Sequence, residues 1–185
     1  MSPMNKPLLL VITGMPAAGK TTLAHLISKK THCPLLSRDE LKEGYINTLG
    51  IPHAQLNDAA ARHIYDTFFA TIELLLSQKI SLVIEAAFQH KLWKPKLSTL
   101  QSIADIKILI CTTKPEIAVS RFEKRYLQQS SREKYHGDKS GLKKITNDLF
   151  YNYDPIQSNF PTLVIDTTDN YNPAIEEILA FIHQQ

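Results

Sequence analysis

An α/β fold, a five-stranded parallel sheet with helices on both faces and a small lid, is what this sequence predicts. Three observations lead there. Short, continuous apolar runs recur between longer helix-patterned stretches, the signature of strands buried on both sides. A glycine-containing turn joins the first of these runs directly to a helical stretch. One interval, Gln128 to Gly141, replaces apolar residues with Ser, Arg, Lys, His, Asp and Gly.

The elements follow in order. Leu8 to Ile12 reads as the first strand, and the turn and first helix come directly after it. Pro34 to Leu36 is a second, short strand, followed by a helix over Glu40 to Ile46. Asn57 or Asp58 caps a helix whose apolar stripe is Ile64, Phe68, Ile72 and Leu75. Leu82 to Glu85 and Ile106 to Cys111 are the third and fourth strands. Pro115 suits a first helical position, where its missing N–H costs nothing, and Pro173 is expected to open the closing helix in the same way. Leu163 to Asp166 is the fifth strand. There is no internal repeat or low-complexity linker, so residues 1–185 read as one domain, with 128–141 as a polar lid.

Composition narrows the functional classes. With 43% hydrophobic and 21% charged residues the chain is an ordinary globular one, and its formal charge of +3 suits an anionic ligand without implying nucleic acid. Cys33 and Cys111 are far apart and without CxxC spacing, so neither a disulfide framework nor a zinc site is suggested and two buried thiols are expected. No segment approaches the roughly 20 apolar residues of a membrane span, and the apolar start runs into the turn instead of a cleavage site. The expectation is a cytoplasmic protein. Trp93 and the pair Phe68 and Phe69 suit a core or an interface equally, which leaves the oligomeric state open.

The turn carries the chemistry. Gly14-Met15-Pro16-Ala17-Ala18-Gly19-Lys20-Thr21 has two glycines four residues apart followed by Lys-Thr, the phosphate-binding P-loop pattern, here between a strand and a helix. Successive backbone N–H groups, backed by the positive end of a helix dipole, cradle a polyphosphate. Gly14 and Gly19 supply the φ values the curl needs. Lys20 brings a mobile charge to the β- and γ-phosphates, and the Thr21 hydroxyl is placed for Mg²⁺, with Thr22 closing the loop. Residues 14–22 are therefore expected to bind ATP, with Mg²⁺ as its companion ion.

In an open α/β sheet, ligands collect at the carboxyl ends of the strands. After the second strand stand Ser37-Arg38-Asp39-Glu40-Leu41-Lys42, where Asp39 is the candidate acceptor of the substrate proton as well as a first-turn helix acid. After the third strand stand Glu85 and Ala86-Ala87-Phe88-Gln89-His90. Glu85 can serve the Mg²⁺ shell or a cation that fixes the acceptor. Phe88 and His90 are candidates to line an acceptor pocket, although a lone histidine more often caps or faces solvent. Asp166 reads as loop-forming. Arg121, Arg125 and Arg132, spaced by four and seven, fall within roughly 40° of one another on one helix and form a basic edge running into the lid. Arg125 and Arg132 are the leading candidates to neutralise charge on a transferring phosphoryl group.

Together these motifs resemble a small P-loop kinase of the group that includes polynucleotide kinases, chloramphenicol phosphotransferase and zeta toxins. The resemblance rests on Gly14 to Thr22, Ser37 to Lys42, Val83 to Phe88 and the lid arginines. It implies ATP and Mg²⁺, catalytic roles for Lys20, Asp39, Arg125 and Arg132, and an acceptor wall including Lys42, Glu85 and Phe88. Ala17 stands where many relatives carry Gly, which fits if its φ is negative. Lys42 stands where polynucleotide kinases usually carry Arg, and stacking aromatics do not interleave the basic residues, so a polynucleotide 5′-hydroxyl, or a nucleotide sugar as in zeta toxins, is the alternative acceptor and less favoured than a small-molecule hydroxyl. A nucleotide-binding regulatory module without transfer activity is the remaining alternative.

Overall fold

The computed structural model describes residues 6–128, 132–137 and 153–184. Five strands form one sheet, β1 (Leu8–Gly14), β2 (Leu35–Ser37), β3 (Leu82–Glu85), β4 (Asp105–Thr112) and β5 (Thr162–Asp166), in the order β2-β3-β1-β4-β5. Every pairing is parallel. The helices are α1 (Lys20–Thr31), α2 (Arg38–Leu49), α3 (Asp58–Ser77), α4 (His90–Leu100), α5 (Pro115–Gln128), α6 (Arg132–His136) and α7 (Ile175–His183), with a 3-10 turn at His53–Gln55. Because the chain leaves β1 for β2 and β3 on one side and later for β4 and β5 on the other, the strand order reverses at β1. A crevice opens at its carboxyl end, where α/β sheets bind ligands.

Alternate residues of the strands feed two cores. Leu9, Val11, Ile84 and Ile108 pack with Phe68, Phe69, Ile72 and Leu76 of α3 and Trp93 and Leu97 of α4. Leu10, Ile12, Val83 and Leu109 pack on the other face with Leu23 and Ile27 of α1 and Ile178 and Ile182 of α7. Each such side chain contributes roughly 1.5–3 kcal/mol on full burial. Trp93, completely buried, donates its indole N–H to Thr13 Oγ1 at 3.0 Å, which offsets the desolvation of the indole nitrogen.

The expected stripe on α3 runs one position differently at its end. Leu76 is buried and Leu75 half-buried, because Ile64, Phe68, Ile72 and Leu76 stand four apart on the inward face. Asn57 is the cap, accepting from the Ala60 N–H at 2.9 Å. Pro115 does start α5, but Pro173 does not start α7. Asn172 is held in an antiparallel bridge to Asp166, Pro173 follows a cis peptide bond, and the extended Ala174 caps a helix beginning at Ile175, with its N–H donating to Glu177 Oε2 at 3.0 Å. Of the two thiols, Cys111 is buried and Cys33 half-buried. Among the described residues no helix is long and apolar enough to cross a membrane.

Candidate active site

β1 ends at Gly14, whose φ of 140° brings its backbone against β4, where a Cβ would lie 2.1 Å from the Cys111 carbonyl oxygen. The loop then turns through Met15 to Ala18, with the Ala18 N–H donating to the Met15 carbonyl, and reaches Gly19 at φ 76°. Gly19 caps α1 without a side chain, and the first turn of α1 carries no acid. The N–H groups there and the positive end of the helix dipole thus have no local side-chain anion, and the donor set fits a phosphate. Lys20, 7% exposed, folds back so that its Nζ donates to the Met15 carbonyl at 2.9 Å, while Thr21 and Thr22 face the cleft. Burial lowers the Lys20 pKa, and nearby Glu85 raises it in part. The Thr167 hydroxyl, 3.0 Å from the Ala18 carbonyl, ties the loop to the segment after β5.

Ala17 departs from expectation. Its φ is +58°, a left-handed conformation that costs an L-residue about 1–2 kcal/mol. Its methyl is buried against Ala118 and Phe122 of α5, which explains a side chain where glycine would fit the backbone more easily.

The facing wall is built by the ends of β2 and β3. Ser37 and Glu85 are register partners, and the Ser37 hydroxyl donates to Glu85 Oε2 at 2.9 Å. Burial pushes the Glu85 carboxyl above the usual range, while Lys20 draws it back. Asp39 lies in the first turn of α2, surrounded by protein yet open to the cleft through a side chain 53% exposed. Burial would raise its pKa, but Lys42 and then Arg38 hold it below the ordinary carboxylate value. Arg38 Nη1 lies 3.1 Å and Lys42 Nζ 4.0 Å from Asp39 Oδ1.

One cleft of about 750 Å³ joins the loop to this wall, and Lys20, Thr21, Asp39, Glu85, Arg125 and Arg132 all border it. The basic edge is not one helix, however. α5 ends at Gln128 and Arg132 begins the separate α6, so the two arginines meet by packing instead of helical phase. Of the lid region 128–141, residues 129–131 and 138–141 lie outside the described residues. Arg121 also borders the cleft, but its guanidinium donates to the Thr167 and Thr168 carbonyls and the Thr167 hydroxyl and so fixes the loop after β5.

Phe88 is a correction. It is 8% exposed and packed among Phe68, Phe69, Tyr65 and Trp93, so it belongs to the core and not to the cleft wall. Lys42 is likewise buried and acts on the wall through Asp39 and His136. His90 accepts the Gln157 N–H on its Nδ1 at 3.0 Å, a structural use. Asp166 Oδ1 accepts the Thr168 N–H at 2.7 Å and shapes the loop, as expected. His136, which falls in the expected polar lid without an expected role, and Thr167 to Tyr171, which no motif singles out, also border the cleft. Only the rule that ligands gather after the strands could have pointed to the latter group.

A sequence model of the AAA domain family matches residues 9–141. No curated protein matches the chain. Among solved structures, a candidate kinase from Chloroflexus aurantiacus is similar with a TM-score of 0.80 at 24% identity, over 98% of this chain and 100% of that one. The APS kinase of Mycobacterium tuberculosis, in complex with AMPPNP and APS, is similar with a TM-score of 0.63 at 16% identity, over 97% and 99%. A chain of the Pnkp1/Rnl/Hen1 RNA repair complex is similar with a TM-score of 0.60 at 20% identity, over 80% of this chain and 48% of that one. At such identities the likeness establishes the fold, a P-loop kinase-like one, and not the substrate.

Proposed function

The chain belongs to the AAA domain family of P-loop proteins, and from that premise we propose that it is an ATP-dependent phosphotransferase acting on a hydroxyl of a small molecule. The observation that carries the proposal is a cleft with a helix start that fits an anion at one end and an ionised, half-exposed aspartate at the other. A binding module without transfer would have no use for the second end.

In this reading the loop amides and Lys20 hold the β- and γ-phosphates, and Arg125 and Arg132 oppose the charge on the transferring group. Asp39 takes the acceptor proton as the acceptor oxygen bonds to the γ-phosphorus and the bond to the β–γ bridging oxygen breaks, releasing ADP. A base so placed contributes about 10²–10⁴ in rate. Among the described residues no group of three or more His, Cys, Asp or Glu is placed to hold a metal. Mg²⁺ would therefore be met by Thr21 and the phosphates themselves, with Glu85 near by, and would neutralise phosphate charge. The short α6, whose Arg132 borders the cleft, would belong to the lid.

The test is phosphate incorporation from labelled ATP into a metabolite pool, native protein against Lys20→Ala. A labelled alcohol formed by the native protein alone supports the proposal, and equal incorporation by both rejects it. The likeness to a chain of an RNA repair complex supports a polynucleotide end as the second reading. Oligonucleotide binding that falls steeply with salt would favour it.

A further inference from the structure

Glu43, His136, Lys42 and Asp39 form a continuous line of side chains that ends in the cleft. His136 Nε2 lies 2.7 Å from Glu43 Oε1, His136 Nδ1 lies 3.3 Å from Lys42 Nζ, and Lys42 Nζ lies 4.0 Å from Asp39 Oδ1. The chemistry of these groups assigns the protons. An ammonium has donors and no acceptor, so the ring nitrogen facing Lys42 must accept. The ring's one proton then sits on Nε2 and points at Glu43. An imidazolium would instead turn an N–H towards the Lys42 ammonium.

Geometry around this line makes it a seat for α6. One turn farther along α2, the Tyr135 hydroxyl donates to Asn47 Oδ1 at 2.6 Å, so two consecutive residues of α6 grip α2. Gly137, at φ 63°, ends the short helix directly after His136. The same helix starts with Arg132 at the cleft.

We propose that His136 is a positioning residue for phosphoryl transfer: as the neutral, Nε2-protonated tautomer it bridges Glu43 to Lys42, holds the ammonium beside Asp39 without letting it close on the carboxylate, and seats the helix that carries Arg132. This rests on the proposed role of Asp39 as base. Lys42 shared with His136 keeps Asp39 ionised from 4.0 Å and, by donating to the ring, leaves lone pairs of the carboxylate open to the acceptor proton.

The surroundings favour the neutral ring. His136 faces Asp39, Lys42 and Glu43 from α2, His53 from the 3-10 turn and Arg132 on its own helix. Burial, then Lys42 and Arg132, lower its pKa, while Asp39 and Glu43 oppose them. A histidine with a lowered folded pKa contributes stability that is complete above its ordinary value of 6.5 and lost as the pH falls below it. The seat of α6 therefore loosens on the acid side.

Two measurements test this. Long-range ¹H–¹⁵N spectra of the native protein at pH 7.5, with the ring assigned by its loss in His136→Leu, should show an Nε2-protonated neutral imidazole. An Nδ1-protonated ring or an imidazolium overturns the proposal whether or not an acceptor has been found. With an acceptor in hand, His136→Leu should lower kcat by about tenfold through lost positioning, with AMPPNP affinity unchanged, and move the start of the acid limb to lower pH, where protonation of Asp39 alone sets it. His136→Asn, whose Oδ1 can accept from Lys42 as Nδ1 does, should recover most of the loss. Equal rates in native, Leu and Asn proteins overturn the proposal. Absence of transfer to any acceptor would defeat the proposed function and leave the ring measurement to decide the bridge.

Discussion

The Ser37 hydroxyl and Glu85 Oε2, 2.9 Å apart, join the ends of β2 and β3 at the cleft. Both side chains are buried, at 1% and 3% exposure, so neither loses its partner without consequence. Ser37→Ala should cost about 1–3 kcal/mol, measured by urea unfolding, because the remaining acceptor stays buried and unsatisfied.

The same carboxyl makes stability depend on pH. Burial raises the Glu85 pKa in the fold above its ordinary 4.5, so the native state binds its proton more tightly than the unfolded chain. That contribution is present below 4.5 and is lost as the pH rises through the folded value. Glu85→Gln, which can still accept from Ser37, should gain in melting temperature relative to the native protein as the pH rises from 4.5 to 7. A difference that stays flat over that range would show that Glu85 does not titrate as described.

Ala17 tests the balance between backbone strain and packing. Glycine at φ +58° removes about 1–2 kcal/mol of strain, but it loses a methyl packed on Ala118 and Phe122 and adds chain entropy to the unfolded state. The opposing effects are of similar size. Ala17→Gly should therefore unfold within about 1 kcal/mol of the native protein and retain nucleotide affinity. A loss of several kcal/mol would mean that the contact with α5, and not the curl, dictates the residue.

The arginines divide by what they hold. Arg121 is committed to the Thr167 and Thr168 carbonyls, whereas Arg125 and Arg132 border the cleft beside the loop and wall. In calorimetry and steady-state assays, Arg121→Ala should weaken nucleotide binding by loosening the loop after β5. Arg125→Ala should spare binding and lower kcat, within the 10³–10⁵ range of a charge-stabilising arginine. The reverse pattern would exchange their assignments.

What the sequence disclosed, it disclosed through local rules. The five strands follow from continuous apolar runs, and the phosphate loop from residue spacing within eight positions, because both signals are set by neighbours in the chain. Asp39 and Glu85 were legible since strand ends point to the crevice. Phe88 was not, because its burial depends on Tyr65, Phe68 and Phe69 arriving from α3, about 20 residues earlier. Arg132 kept its place at the cleft but lost its helix, since phase arithmetic assumes an unbroken element. His136 fell in the polar lid interval, but its contacts could not be read for the same reason as those of Phe88, as they lie with Glu43 and Lys42, more than 90 residues earlier in the chain. The sign of φ at Ala17 depends on the loop's closure and the packing of α5, neither of which spacing reports.

Binding of ATP and of AMP in the presence of Mg²⁺, measured by titration calorimetry on the native protein and on Lys20→Ala, bears most directly on the claim that residues 14–22 cradle a triphosphate. The native protein should bind ATP at least about tenfold more tightly than AMP, the scale of one charge-assisted hydrogen bond, and Lys20→Ala should erase most of that preference. Equal affinity for ATP and AMP in both proteins would contradict it.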